Sequence, residues 1–278
     1  MHNPIYSGKV RNVYRYDNDK IIIVATDKLS AFNRHQCLIP NKGQYLTKMS
    51  KWWFNETRDI IPNHYICSKG QYMLVKKCEP IKLEIIVRDY ITGSLWKAYK
   101  NGEKKMYGIT FPDGLEYNQK INTIITPTLK NDNDDPTSEQ EILEKNILTK
   151  EEWEYIKTKS LELFKRGSII SKANDLVLVD TKYEFGYDKD RNIILIDEIH
   201  TCDSSRYWNN NSSFDKDIVR KWIELHPNQK IPMDIIIDLG NVYKNYALSL
   251  IDKDEDLELE MTSLFQFIKD YESKALLC

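Results

Sequence analysis

The segment from Leu176 to Trp208 constrains the fold most strongly, because its polar and apolar residues alternate on both sides of a short polar turn. Side chains of a β-strand alternate between its two faces, so Asp180, Lys182 and Glu184 share one face of the first strand. The sequence IILIDE predicts a second strand, and residues 188–192 predict the turn between the two. The segment therefore predicts a β-hairpin with one charged face.

The charged face of this hairpin suits a divalent cation. If the turn centres near Asp190 and Arg191, Glu184 lies opposite Asp197 on the second strand. Facing carboxylates repel each other, whereas Mg²⁺ bound to both, with phosphate oxygens completing its shell, would reverse that effect. Lys182 would then offer a positive charge to a phosphate or carboxylate. The alternative is a solvated face of an amphipathic hairpin, and the cross-strand placement depends on the register.

Strand patterns dominate the first third of the chain and helix patterns its end, which favours an α+β protein over a regularly alternating fold. We expect a β-rich lobe for nucleotide phosphates over residues 1–82 and a larger lobe, with the substrate site, the metal site and C-terminal helices, over residues 83–278. The other predicted elements are a hairpin at Val10–Thr26, a helix at Leu46–Ile61, strands at Tyr72–Ile91 broken at Pro80, a helix at Ser94–Gly102, a loop at Thr126–Ser138, a helix at Lys150–Gly167, a polar loop at Trp208–Phe214, and helices starting at Ser213 or Asp215, at Pro232 and at Met261.

Composition argues against several classes of function. The chain has 278 residues, of which 41% are hydrophobic and 29% charged, as in folded globular proteins. Its net charge of −2 gives no basic excess for binding nucleic acid. No apolar run reaches the roughly 18 residues that span a bilayer, and the polar N-terminus lacks a secretion signal, so we expect a cytoplasmic protein. Five cysteines without C-x-x-C spacing, and the lack of an H-x-x-x-H pair, argue against a zinc site.

Two clusters in the first hundred residues contain the residue types that bind phosphate. Around Gly8, Lys9 and Arg11, a turn can lay backbone N–H groups and two cations on a polyphosphate, or it can be an exposed hairpin end. Arg88 at a strand end and Ser94 at a helix start predict a second anion site. A plain strand-to-helix connection is the alternative there.

Two later clusters are also candidates. The sequence DSSR places Asp203 and Ser204 beside Arg206, which suits an oxyanion, although a turn with a helix cap is the alternative. Lys130 and Asp132 lie in a long loop that is either functional or an acidic surface loop. Neither a Walker A loop nor a G-x-S-x-G nucleophile motif occurs in the sequence.

The order of these clusters is more specific than any one of them. Between Ser7 and Tyr246 the chain contains, in order, SGKVRNVY, LEIIVRDYITGSLWKAY, ITPTLKND, LVLVDTKYEFGY, IDEIHTCDSSRYW and SFDKDIVRKWI. This series resembles phosphoribosylaminoimidazole-succinocarboxamide synthase (SAICAR synthetase), a family of purine-biosynthesis enzymes. The resemblance implies an α+β fold whose ATP-binding lobe is distantly similar to that of protein kinases.

The resemblance also implies a reaction. Family members join the amine of L-aspartate to the carboxylate of carboxyaminoimidazole ribonucleotide through an acyl phosphate, while ATP gives ADP and phosphate and Mg²⁺ is the cofactor. The partners would be these small molecules, without nucleic acid or membrane, and the oligomeric state stays open.

Matching positions imply a role for each candidate residue. The resemblance would make Lys182 and Asp180 catalytic, Gly8, Lys9, Arg11 and Glu84 ATP-binding, Arg88, Ser94, Asp203, Ser204 and Arg206 ribonucleotide-binding, Lys130 and Asp132 part of the aspartate loop, and Glu184 and Asp197 the Mg²⁺ ligands. A lysine on an exposed face contributes little to stability, so Lys182→Ala is expected to remove activity and keep the fold.

Four positions depart from the family pattern. Asn33 stands where aspartate is common, Cys202 where proline is common, His200 where a hydrophobic residue is common, and Asp134 near the place of a histidine. Their effect on the aspartate pocket stays open at this stage. Two other readings therefore remain: a kinase-like phosphotransferase, against which the lack of H-R-D and D-F-G counts, and a non-catalytic nucleotide-binding descendant of the ligase.

Overall fold

The computed structural model describes residues 3–32, 34–210, 212–227 and 229–250, and of Arg34 and His35 the backbone. Its strands are β1 (Tyr6–Ser7), β2 (Arg11–Arg15), β3 (Lys20–Ala25), β4 (Lys28–Ala31), β5 (Arg34–Leu38), β6 (Tyr65–Lys69), β7 (Tyr72–Lys76), β8 (Glu79–Pro80), β9 (Leu83–Tyr90), β10 (Lys105–Met106), β11 (Ile109–Thr110), β12 (Lys120–Leu129), β13 (Val177–Tyr187), β14 (Ile193–Ile196), β15 (Ser205–Asn209) and β16 (Ser212–Ser213). Its helices are α1 (Lys42–Glu56), α2 (Gly93–Lys100), α3 (Glu139–Glu144), α4 (Lys150–Ala173), α5 (Asp217–Leu225) and α6 (Met233–Ser249). The fold is thus mixed α and β, with antiparallel sheets.

An antiparallel sheet of five strands, in the order β1-β2-β3-β7-β6, forms the N-terminal part. Asp17 shapes the β2–β3 turn, because its carboxylate accepts hydrogen bonds from the backbone N–H groups of Asp19 and Lys20, at 2.8 and 2.7 Å. The hairpin predicted at Val10–Thr26 is therefore confirmed. The preceding β1–β2 connection contains Gly8, whose N–H donates to the carbonyl oxygen of Arg11 at 2.7 Å.

The larger sheet is built around β13, in the order β12-β9-β13-β15-β16, and β8 and β14 also pair with β13. The predicted β13–β14 hairpin is confirmed, but the predicted register is wrong by one residue, since Glu184 pairs with Ile196 and not with Asp197. β14 ends at Ile196, and Asp197 adopts a φ of 67°, which few non-glycine residues do. This local turn still brings Asp197 Oδ2 to 3.5 Å from Lys182 Nζ.

The loop predicted from Thr126 begins later than expected. β12 continues through Pro127 to Leu129, and β12 is an edge strand that pairs with β9 on one side. Proline is tolerated on such a strand because its missing N–H can face away from the ladder. Here the carbonyl group of Pro127 does face away, since it accepts from the N–H of Thr137 at 3.1 Å.

Several predicted boundaries also move. α1 runs from Lys42 to Glu56, earlier than the predicted Leu46–Ile61, and α4 passes Gly167 to end at Ala173. The polar stretch predicted as a loop at Trp208–Phe214 contains the end of β15 and all of β16. α5 begins at Asp217, whose N–H donates to Asp215 Oδ1 at 2.6 Å, so Asp215 and not Ser213 bonds to the helix start.

One hydrophobic core joins both sheets to the long helices. Its members include Ile23 of β3, Trp53 of α1, Tyr183 of β13 and Tyr243 of α6, all buried. The predicted division at residue 82 stays a prediction. The helix predicted from Met261 and the departure at Asn33 both lie outside the described residues. Within the described ranges, no helix has the length and apolar character needed to cross a membrane.

Candidate active site

A cavity of about 1220 Å³ opens beside the β1–β2 turn, the charged face of the larger sheet and helices α2 and α5. The predicted site residues on its lining are Lys9, Arg11, Glu84, Arg88, Ser94, Asp180, Lys182, Asp203, Ser204 and Arg206. Residues that are distant along the chain, and were predicted from separate motifs, therefore face one space.

Three carboxylates surround Lys182, and of these Glu84 lines the cavity whereas Glu184 and Asp197 do not. β13 aligns Lys182 with Ile86 of β9, so Glu84, two residues along β9, lies on the same face. Lys182 Nζ lies 3.2 Å from Glu84 Oε1 and 3.5 Å from Asp197 Oδ2, and it also contacts Glu184. Burial acts to lower the pKa of Lys182, but the three carboxylates outweigh it and hold the pKa well above its usual range. Lys182 is therefore a fixed cation at neutral pH.

Two of these carboxylates offer oxygen donors for a cation. Glu184 also contacts Lys130, and burial raises the pKa of its carboxyl group. Burial acts in the same direction on Asp197, but Arg11 and Lys182 outweigh it, so the pKa of Asp197 lies well below its usual range. Among the described residues, no group of three or more His, Cys, Asp or Glu side chains could hold a metal ion by itself. Hard oxygens from two carboxylates suit Mg²⁺ when phosphate oxygens complete its shell.

Two arginines meet on Asp180, which lies two residues from Lys182 on the same face of β13. Asp180 Oδ2 accepts from Arg88 at 2.7 Å and from Arg206 at 2.5 Å. Arg88 also donates to Thr126 Oγ1 at 2.9 Å and is only 2% exposed. Burial acts to raise the pKa of Asp180, but the two arginines outweigh it and lower the pKa, so this carboxylate stays charged. Asp180 thus contacts the arginines and not Lys182, and its predicted catalytic role stays a prediction.

Gly93 makes room for one of these arginines. A Cβ atom at Gly93 would lie 2.3 Å from Arg206 Nη2, and the residue has a φ of +56°, which favours glycine. Ser94 follows in the first turn of α2 and lines the cavity beside it. The T-G-S sequence therefore places the Ser94 hydroxyl group on the cavity that Arg88 and Arg206 also line, and this combination suits an oxyanion.

The side chain of Asp203 is 4% exposed and has partners that the sequence did not reveal. Its Oδ2 accepts from Lys42 Nζ at 2.6 Å and its Oδ1 from the Tyr243 hydroxyl at 2.5 Å. Lys42 is fully buried in the first turn of α1. A cation at a helix N-terminus is unfavourable. A lysine at the first position of α1 was therefore the sequence signal that could have indicated a buried ionic partner for Lys42. Tyr243 lies among ordinary core positions of α6, where nothing in the pattern distinguishes it.

Other predicted residues have protein partners of their own. Arg11 bonds to Glu198, a residue that sequence reasoning missed, at 2.8 Å, and lies 3.3 Å from Asp197 Oδ1. Its predicted contact with ATP stays a prediction, as does that of Lys9. Lys130 reaches Glu184 from the loop after β12, while Asp132 on the same loop is exposed and is not part of the cavity lining.

Two of the departures from the family pattern lie in the core. His200 and Cys202 are fully buried, and neither lines the cavity. The His200 ring packs edge-on against Trp53 at 4.4 Å between centroids, and its Nε2 lies 2.5 Å from the Tyr183 hydroxyl. Gly167 faces the ring, since a Cβ there would lie 2.4 Å from His200 Cε1, which explains why α4 carries a glycine without ending. Asp134, by contrast, does line the cavity.

The chain resembles known proteins along most of its length. A family model described as SAICAR synthetase matches residues 4–232. A putative phosphoribosylaminoimidazole-succinocarboxamide synthase 2 from Agrobacterium fabrum is 41% identical over 265 residues, which covers 86% of this chain and 84% of the relative. The corresponding synthase from Legionella pneumophila is 40% identical over 264 residues, with coverage of 86% and 84%. The solved SAICAR synthase from Saccharomyces cerevisiae, complexed with SAICAR, has a TM-score of 0.79 and 30% identity, covering 92% of this chain and 96% of that one.

Proposed function

The chain belongs to the SAICAR synthetase family of ATP-dependent ligases in purine biosynthesis, and we propose that it joins L-aspartate to the carboxylate of carboxyaminoimidazole ribonucleotide. One observation carries this proposal. Along the charged face of β13, an arginine pair suited to a phosphate group lies at Asp180 (the arginine end) and a lysine among three carboxylates lies at Lys182 (the lysine end). Both arginines and the lysine line one cavity. The substrate would need such a pair of ends, because its 5′-phosphate and its reacting carboxylate are at opposite ends of the molecule. The yeast relative was solved with SAICAR, the product of this reaction.

The arginine end would hold the 5′-phosphate of the ribonucleotide. Arg206 and Arg88 are aligned by Asp180, and Arg206 also lies 3.7 Å from Asp217, which faces Arg220 and Lys221 as well. Four cationic side chains thus share two carboxylates on this part of the cavity lining. The remaining positive charge, together with the Ser94 hydroxyl, favours an anion. Both arginines are held before the ligand binds, so little conformational freedom is lost on binding.

The lysine end would carry the phosphoryl transfer. Glu184 and Asp197 would hold Mg²⁺, which would neutralise charge on the phosphoryl oxygens of ATP. Lys182 stays protonated among its carboxylates, so its part is to stabilise negative charge on the reacting carboxylate and phosphoryl group, and not to accept a proton. Arg11 and Lys9 line the same region and would face the ATP phosphates.

The proposed reaction has two steps. A carboxylate is a poor acyl donor, so one of its oxygens first attacks the γ-phosphorus of ATP, and the bond to the β-phosphate oxygen breaks to release ADP. The amine of L-aspartate then attacks the acyl carbon. A C–N bond forms, phosphate leaves with the original carboxylate oxygen, and the amine loses a proton. No covalent bond to the protein is required, so the protein contributes position and charge.

Joint substrate dependence tests this function. Purified protein should release phosphate only when ATP, Mg²⁺, the ribonucleotide and L-aspartate are all present, and mass spectrometry should detect SAICAR. ATP consumption that requires no L-aspartate would favour the kinase-like phosphotransferase instead. A folded protein that binds ATP without turnover would support a non-catalytic relative and refute the ligase.

Isotope transfer tests the acyl phosphate separately. When the carboxylate of the ribonucleotide carries ¹⁸O, the released phosphate should contain one ¹⁸O atom, because that oxygen leaves with the phosphoryl group. Unlabelled phosphate alongside labelled SAICAR would rule out the acyl phosphate while leaving the overall ligase activity in place.

A further inference from the structure

Asp203 has both carboxylate oxygens bound from behind the cavity. Lys42 of α1 donates to Oδ2 at 2.6 Å and Tyr243 of α6 donates to Oδ1 at 2.5 Å. The Lys42 ammonium also lies 5.6 Å from the centre of the Tyr243 ring, so the three groups form one unit. Asp203 lines the cavity, whereas Lys42 and Tyr243 do not.

The backbone around Lys42 fixes the direction of its side chain. Asp27 accepts from the N–H groups of Asn41 at 3.1 Å and Gly43 at 3.0 Å, which ties the start of α1 to the end of the first sheet. A Cβ at Gly43 would lie 2.3 Å from the carbonyl oxygen of Ala25, so only glycine permits this approach. Lys42 is thereby held in the interior, where it is 0% exposed, with Asp203 as its ionic partner.

These contacts define what Asp203 can do. Burial acts to raise its pKa, but Lys42, Lys216 and the Tyr243 hydroxyl outweigh it, so the pKa lies well below its usual range. An ionised carboxylate has about four acceptor positions, and Lys42 and Tyr243 occupy two. Those that remain can accept from a donor in the cavity, while proton uptake is disfavoured.

We propose that Lys42 and Tyr243 are positioning residues that fix Asp203 as an ionised acceptor for a ribose hydroxyl group of the ribonucleotide. The inference rests on the proposed function. Asp203 and Ser204 directly precede β15, which carries Arg206. The ribose is bonded to the 5′-phosphate, so a phosphate on Arg206 places the ribose hydroxyl groups near this stretch of chain.

Two buried tyrosines of α6 provide a matched pair for the test. Tyr243→Phe removes the bond to Asp203. Tyr246→Phe, one turn along the helix, removes an equally buried hydroxyl that donates to Tyr207 at 2.9 Å and accepts from Trp53 at 3.2 Å, away from the cavity. Tyr243→Phe should weaken calorimetric binding of the ribonucleotide and raise its KM by about tenfold, as for a hydrogen bond to a charged group. Its KM for ATP and its affinity for inorganic phosphate should change by less than about twofold, which is a smaller change in binding free energy than the loss of one hydrogen bond would cause.

Tyr246→Phe should leave all of these constants within about twofold of the wild type, since its bonds lie away from the cavity. Equal effects of the two variants, or an unchanged ribonucleotide affinity in folded Tyr243→Phe protein, would refute the positioning role while the ligase activity of the wild type stands. Wild-type protein that neither binds nor converts the ribonucleotide would refute both proposals. Lys42→Met should have a larger effect of the same kind, and if it does not fold, the tyrosine pair decides alone.

Discussion

Gly93→Ala isolates the close approach between α2 and Arg206. The added methyl group would lie 2.3 Å from Arg206 Nη2 and 2.7 Å from Arg206 Cζ, so the guanidinium group must move. Movement breaks its alignment on Asp180, now 2.5 Å away. A charged hydrogen bond contributes roughly 1.5–3 kcal/mol, so ribonucleotide affinity should fall by about 10- to 100-fold.

Backbone strain is a separate effect that this substitution also introduces. Gly93 has a φ of +56°, and alanine in that conformation costs about 1 kcal/mol of stability. Gly70→Ala is a matched control, because Gly70 has the same φ of +56° and no atom within 4 Å of the added methyl position. Both variants should lose the stability that this strain costs, Gly93→Ala should lose more because the Arg206–Asp180 bond is also disturbed, and only Gly93→Ala should lose affinity.

Calorimetric titration with the ribonucleotide and urea unfolding separate the two effects. The expected result is weak binding by folded Gly93→Ala and wild-type binding by Gly70→Ala, with a loss of stability in both. Wild-type affinity in Gly93→Ala would show that Arg206 can bind the phosphate from a displaced position, and would refute the reasoning.

Three further predictions follow from buried groups. Gly167→Ala should lower the free energy of unfolding in urea by about 1–3 kcal/mol, because its methyl group meets the His200 ring. Gly240→Ala is the control, since Gly240 also lies in a helix but an added Cβ would be 3.6 Å from its nearest neighbouring atom, and it should be neutral or stabilising. A stabilising effect of Gly167→Ala would contradict the packing against His200. Lys182→Met should lower kcat at least a hundredfold (about 10²) and also lower the free energy of unfolding, because three carboxylates lose their shared cation; unchanged turnover would exclude its assigned role. Burial raises the pKa of Asp215 to about 6, so between about pH 4 and 6 the folded state holds a proton that the unfolded state releases. The free energy of unfolding of the wild type, measured relative to Asp215→Asn, should therefore fall as pH rises from about 4 to 6. Parallel pH profiles of unfolding for the wild type and Asp215→Asn would contradict this.

Alternation along the chain was enough to place the charged face of β13. Asp180, Lys182 and Glu184 follow from a period of two, which any half-buried strand obeys. The predicted pairing of Glu184 with Asp197 was wrong, because Asp197 has a positive φ and leaves strand geometry. A pattern of alternating polar and apolar residues does not indicate such a turn. The expectation that Lys182 lies on an exposed face was also wrong, since neighbouring strands supply carboxylates on both sides.

The contacts that the sequence did not predict are mainly those between elements that are far apart along the chain. Lys42 reaches Asp203 across 161 positions of the sequence and Tyr243 across 40, and pairings of that range depend on how α1 and α6 pack. His200 was read as a change near the aspartate pocket, and only packing against Gly167 and Trp53 shows it to be a core residue. Local patterns predict which residues share a strand face, whereas shared cavities depend on tertiary contacts.

Pro127 has a consequence for how copies of the chain meet in solution. An edge strand with free backbone groups is a template for pairing with another molecule and so for aggregation. On β12 the outward N–H at this position is missing, the outward carbonyl is bound by Thr137, and Thr128 is bridged to Pro136. The loop that delivers Lys130 to Glu184 thus also covers the rim of the sheet, so a substitution that loosens this loop should promote self-association as well as slow turnover.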